Sequence, residues 1–170
     1  MSQLQDFIDV ANKEVGYIEG PKDNETKYGK AMKANFLPWC GSFVNWCANQ
    51  VDLKIPNCVS TRTGALAFKK QGAWIDAETG TPEIGDLAFF DFPNDGVSGI
   101  SHIGIVIDVK PKKGLVITIE GNTSSSVAGS QRNGGEVCIK TRAFRASNNG
   151  KLRQSLPVSI VGFGRPTFKE

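Results

Sequence analysis

The sequence predicts an α+β fold, with N-terminal helices packed on a C-terminal antiparallel β-sheet of about five or six strands. Three observations carry that expectation. Apolar residues recur at helical spacing only ahead of Gly72, and alternating runs typical of half-buried strands begin near Asp86. Turn signals, Asn133-Gly134 and Asn149-Gly150 among them, separate those runs. A chain of 170 residues is long enough for one real core and short for two, so residues 1–170 are expected to form a single domain.

Each element has a local reason. Ser2 with Gln5 resembles a capping box and opens a helix over about Leu4 to Val15, with Gly16 at its end. A loop from Glu19 to Asn35 follows and contains Lys27-Tyr28-Gly29. A second helix begins at Pro38-Trp39-Cys40 and runs to about Val51, with apolar positions at 40, 43, 44, 47, 48 and 51. Pro38 suits its first turn, where a missing N–H removes no bond. A third helix spans about Thr63 to Lys70. Strands are expected near 86–92, 102–109, 115–120, 136–143 and 158–164. No internal repeat is visible.

Cys40 stands where the unpaired N–H groups and the positive end of a helix dipole favour thiolate over thiol. A cysteine in that position is ordinarily a small apolar filler, so it needs a base to become a nucleophile. The chain has one histidine. His102 opens the run His102-Ile103-Gly104-Ile105-Val106-Ile107-Asp108, in which three isoleucines share one face. Pro111-Lys112-Lys113-Gly114 turns the chain, and Leu115 to Glu120 forms the returning strand. Facing residues of an antiparallel pair have a nearly constant sum of positions, which sets His102 opposite a position between 120 and 122. Those positions offer Glu120, on the less apolar face that His102 occupies, and Asn122. Such a group fixes the tautomer and orientation of a general base.

Pro38-Trp39-Cys40 with Phe43-Val44, Gly85-Asp86-Leu87-Ala88-Phe89-Phe90-Asp91, Ser101-His102-Ile103-Gly104-Ile105-Val106 and Ile119-Glu120-Gly121-Asn122 together resemble the CHAP domains of bacteriophage endolysins. CHAP stands for cysteine, histidine-dependent amidohydrolase/peptidase. The resemblance covers nearly the whole chain, through Val161-Gly162-Phe163-Gly164-Arg165-Pro166. It implies a papain-like fold and a peptidoglycan hydrolase cleaving amide bonds of the bacterial cell wall for host lysis. The amide would be that of an N-acetylmuramoyl-L-alanine amidase or a peptide cross-link endopeptidase. By position, Cys40 would be nucleophile, His102 base, Glu120 orienter and Asn122 a polar supporter. Tyr28 and Trp39 are the expected substrate-binding or oxyanion groups. Two rivals are a non-catalytic wall-binding or virion structural protein retaining the fold, and a Cys-His-His endopeptidase. The second needs a second histidine, which the chain lacks.

Composition narrows the remaining classes. The start is polar and has no signal-peptide pattern, which fits synthesis in a host cytoplasm and action at the wall after release. No apolar run is long enough to cross a membrane. Residues 1–109 carry a net charge of −5 and residues 110–170 a net of +8. Lys112, Lys113, Arg132, Lys140, Arg142 and Arg145 are therefore the expected surface for an anionic wall polymer. No nucleic-acid motif accompanies that charge. Cys40 and Cys47 lie about 10 Å apart along one helix, too far for a disulfide, and Cys58 and Cys138 read as reduced thiols. No zinc spacing occurs. Asp23-Asn24-Glu25-Thr26 supplies only part of a calcium ligand set, so no cofactor is expected, with calcium at this loop the alternative. Gly121 to Gly135 follows Glu120 directly and is expected to form a lip of the substrate groove. The expected state is a monomer.

Overall fold

The computed structural model describes residues 1–146 and 157–170, and the Asn149-Gly150 turn signal lies outside them. Among the described residues the helices are α1 (Gln3–Lys13), α2 (Lys27–Ala31), α3 (Cys40–Gln50) and α4 (Thr61–Lys70). The strands are β1 (Trp74–Asp76), β2 (Leu87–Phe90), β3 (His102–Lys110), β4 (Leu115–Thr123), β5 (Glu136–Ala143) and β6 (Ile160–Gly164). They form one antiparallel sheet in the order β1-β6-β2-β3-β4-β5. The last strand thus enters between β1 and β2. This is the α+β arrangement expected, with two additions, α2 and β1. Five residues and three residues respectively are too short to show a periodicity.

Helix starts follow their capping chemistry. Ser2 accepts from the Gln5 backbone N–H at 3.2 Å, but the Gln5 side chain turns forward to Asp9 instead of closing the box. Thr26 caps α2 and Ser60 caps α4 through their hydroxyls. Helix α3 differs: its N-cap is Trp39 and no side chain caps it, while exposed Pro38 sits just outside. Its first N–H groups have no acceptor within the helix.

Strand alternation divides two cores. Ile103, Ile105, Ile119 and Phe89 face the helices and pack with Phe43, Val44 and Phe7. Phe90, Val106, Val116, Phe144 and Phe163 form a second cluster on the other face. Arg145 seals that face by donating to the Ala77 and Gly80 carbonyls.

Close approaches around α3 explain why it cannot shift. Asn45 donates to the Pro56 carbonyl at 3.1 Å and accepts from the Cys58 N–H at 2.7 Å, tying segment 56–58 to the helix. A Cβ at Gly41 would meet the Cys58 carbonyl oxygen at 1.7 Å, and one at Gly121 would meet Phe43 at 2.7 Å. Only glycine lets α3 lie against both neighbours. Gly41→Ala is expected to destabilise the fold by about 3 kcal/mol or more, because the obstacle is backbone. Urea unfolding of the variant beside wild type measures this.

Candidate active site

Helix α3 packs on β3 and β4, which brings its first residue to the first residue of β3. Cys40 lies there, 3% exposed, on a groove of about 390 Å³ whose lining includes Pro38, Thr61 and Ser101. His102 is fully buried against a stacked pair of aromatic rings, with centroid separations of 5.3 Å to Phe90 and 5.5 Å to Phe92. Its Nε2 is 2.7 Å from Glu120 Oε1. Its Nδ1 is buried with no hydrogen bond of its own, and the Cys40 side chain is close enough to act on the ring. Because Glu120 is a carboxylate, Nε2 carries the proton and donates. Nδ1 is then the ring atom left for the thiol.

The β3–β4 register explains the contact. Ile105 pairs with Ile119 and Val106 with Thr118, so Glu120 falls opposite Gly104, one pleat from His102. A Cβ on residue 104 would lie 2.6 Å from Glu120 Cγ. The absence of a side chain there gives the carboxylate room to lean toward the imidazole.

Glu120 is itself held by Arg142, a residue of β5 whose part in the site sequence reasoning missed. Arg142 Nε donates to Glu120 Oε2 at 2.8 Å and Nη2 donates to Oε1 at 2.6 Å, a two-pronged charge-assisted contact. Thr118 Oγ1 adds a donor at 2.5 Å. The guanidinium carbon stands 5.4 Å and 5.2 Å from the centroids of Phe90 and Phe92, the rings that also pack against His102. Alternation along β4 and β5 could have suggested the pair, since Glu120 pairs with Cys138 and Thr118 with Lys140. Nothing in the sequence says that Arg142 would turn inward.

Electrostatics follow from this packing. Burial works against the Glu120 charge, but the hydrogen bonds and charge of Arg142, then those of His102, hold its pKa down at about 2. Burial likewise works against imidazolium, yet the neighbouring Cys40 and Glu120 side chains raise His102 from 6.5 to about 9. Burial drives the Cys47 thiol far up and the Cys58 thiol up to about 12. All four cysteines are unbridged.

Several expected residues occupy other positions. Asn122 is buried with φ +56, and among the described residues none of its hydrogen bonds reaches His102. It donates to Asn133 Oδ1 at 2.9 Å and accepts from the Gly135 N–H at 3.1 Å, so it organises the loop after β4. Tyr28 is no oxyanion donor: its hydroxyl donates to Glu14 at 2.5 Å, and its ring is fully buried. Trp39 is also fully buried, stacked on Tyr28 with centroids 5.5 Å apart, and offers no surface to a substrate. The local reason is an aromatic cluster of Tyr17, Tyr28, Trp39, Phe43 and Trp46, whose burial outweighs exposure of any one ring.

The expected basic surface is corrected similarly. Arg142 serves Glu120, Arg145 serves backbone carbonyls, Lys140 donates to Ser124 O, and Arg132 sits beside Asp95. Lys112 and Lys113 remain exposed on a 3-10 turn. Among the described residues, no group of three His, Cys, Asp or Glu side chains could hold a metal ion. No helix among them is long and apolar enough to cross a membrane.

A cysteine at an open helix start, an imidazole with one nitrogen free and a buried carboxylate behind it define a thiol hydrolase of the Cys-His type. The CHAP domain family model matches residues 32–122, a span that includes Cys40, His102 and Glu120. The chain belongs to the CHAP domain family, whose members are cysteine-dependent hydrolases of the amidase and peptidase type. No curated protein matches it. Among solved structures it is similar to a Staphylococcus aureus subsp. aureus Mu50 protein described as similar to lipoprotein, of the NLP/P60 family. The identity is 13% and the TM-score 0.49, over 96% of this chain and 41% of that one. The chain therefore spans less than half of that protein.

Two outcomes follow from the buried network. Arg142→Gln leaves a buried carboxylate with half its charge compensation removed, and is expected to cost about 3 kcal/mol in urea unfolding and at least tenfold in kcat, with Arg142→Lys intermediate. The pH dependence has a definite sign. Folding raises the His102 pKa from 6.5 to about 9, so its stabilising contribution is complete below pH 6.5 and is lost as pH rises through about 9. The stability difference between wild type and His102→Gln is expected to shrink across that window.

Proposed function

We propose that this chain cleaves an amide of peptidoglycan, within the peptide or at its junction with the sugar, by thiol-based acyl transfer. The observation that carries the reading is the directional chain Arg142–Glu120–His102, which ends in an unoccupied Nδ1 beside Cys40. A purely structural histidine would spend both ring nitrogens on fixed partners.

The chemistry runs from these positions. His102 takes the Cys40 proton at Nδ1, giving thiolate and imidazolium, and Glu120 steadies the imidazolium through Nε2. The sulfur attacks the amide carbonyl, and the new oxyanion is met by the Cys40 N–H at the uncapped start of α3. His102 Nδ1 returns its proton to the leaving amine as the C–N bond breaks. Water then adds to the thioester while Nδ1 takes a proton from it. The C–S bond breaks, the acid departs and the thiol is restored. Arg142 acts through Glu120 as a positioning residue. Asn122 contributes by shaping the loop that borders the groove. Synthesis in a host cytoplasm and release for phage-driven lysis belong to the same proposal, supported by the resemblance to endolysin domains.

Digestion of defined muropeptides, with the new amine and carboxyl ends identified by mass spectrometry, tests the reaction and reads which amide is cut. Cys40→Ala is expected to abolish product while keeping the fold by circular dichroism; retained lysis of purified walls would overturn the mechanism. The kcat/KM profile of wild type is expected to fall on the alkaline side with an apparent pKa near 9, as His102 loses its proton.

A further inference from the structure

The groove at Cys40 carries charge that the proposed chemistry does not use. Arg62, at the start of α4, and Arg132, in the loop between β4 and β5, both line it, opposite the apolar Leu37, Val97 and Ile100. Among the described residues, no carboxylate lines the groove. General basicity does not account for this, since residues 1–109, which supply most of the walls, carry a net charge of −5.

Both guanidiniums are placed yet incompletely used. Arg132 has a side chain only 28% exposed, and its Nε lies 3.4 Å from Asp95 Oδ2 without forming a hydrogen bond. Asp95 is already committed, accepting from Ser101 Oγ at 2.7 Å and from the Val97 N–H at 2.9 Å. It orients the Nε edge of Arg132, and among the described residues the terminal nitrogens have no acceptor. Arg62 lies against the 97–100 loop, where a Cβ on Gly99 would meet its Nη2 at 3.3 Å. Among the described residues, it too has no ion pair or hydrogen bond. Arg62 is exposed, whereas the Arg132 Nε is buried without a hydrogen bond, a cost that an anion gripped by the guanidinium would offset, and the planar fork of arginine suits a carboxylate.

Resting on the hydrolase reading above, we propose that Arg132 and Arg62 form a subsite for a free carboxylate on the peptide being cut, close to the scissile amide. The apolar wall of Leu37, Val97 and Ile100 takes the aliphatic part of the same residue. The enzyme therefore favours an acidic peptide over its amidated counterpart.

Two muropeptides test this, identical except that the residue next to the cleaved bond bears a carboxylate in one and a carboxamide in the other. Wild type is expected to show at least a tenfold higher kcat/KM for the acid, carried mainly in KM. In Arg132→Gln and Arg62→Gln the loss on the acid exceeds the loss on the amide by about tenfold, and the preference disappears in the double variant. Arg132→Lys, which keeps the charge, retains part of it, and the preference weakens with added salt. Equal wild-type rates on the two substrates, preference for the amide, or parallel losses on both would overturn the carboxylate subsite and leave the hydrolase reading intact. Cleavage of neither substrate by wild type would overturn the hydrolase reading first, and the subsite with it.

Discussion

The whole site turns on a carboxylate that has been taken out of water. Glu120 is fully buried, a position in which an isolated charge would neutralise itself by taking up a proton. It stays ionised because Arg142 grips both oxygens, Thr118 donates to one and His102 donates to the other. Each of those partners is constrained in return. The guanidinium is pinned over Phe90 and Phe92, and the imidazole packs against the same two rings. Orientation of the base is thus a consequence of charge compensation in a dry environment, and a single carboxylate sets both.

Sulfur and imidazole meet because glycine permits it. Residues 41 and 121 bring α3 against the Cys58 segment on one side and β4 on the other, and residue 104 opens the space into which Glu120 leans. The helix start that carries Cys40 has no side-chain cap, so its N–H groups stay available to a charge that develops during reaction. Ordinary helices in this chain are capped by Ser2, Thr26 or Ser60. The difference sets α3 apart at the helix start that carries Cys40.

Charge asymmetry along the chain has a meaning other than a basic face. Arg142 and Arg145 are consumed inside the fold, one by the buried Glu120 carboxylate and one by carbonyls that close the second core. Arg132 shows the converse arrangement, a side chain turned into the groove with donors to spare.

Periodicity and turn chemistry were enough to determine the helix-then-strand order, the β3–β4 hairpin and the pairing of His102 with Glu120. All of these are short-range: they follow from alternation, a turn and the constant sum of paired positions. The approach of Cys40 to His102 had no such local signal and was inferred from residue types and a family resemblance. Where side chains compete for burial, local rules failed. Tyr28 and Trp39 entered an aromatic core, Asn122 turned to its own loop, and Arg142 left the expected surface for Glu120. Three-residue β1 and five-residue α2 were too short to announce themselves. The sequence alone determined which groups could do the chemistry. Tertiary packing decided which of them face one another, because burial energy and charge compensation depend on neighbours that lie far away along the chain.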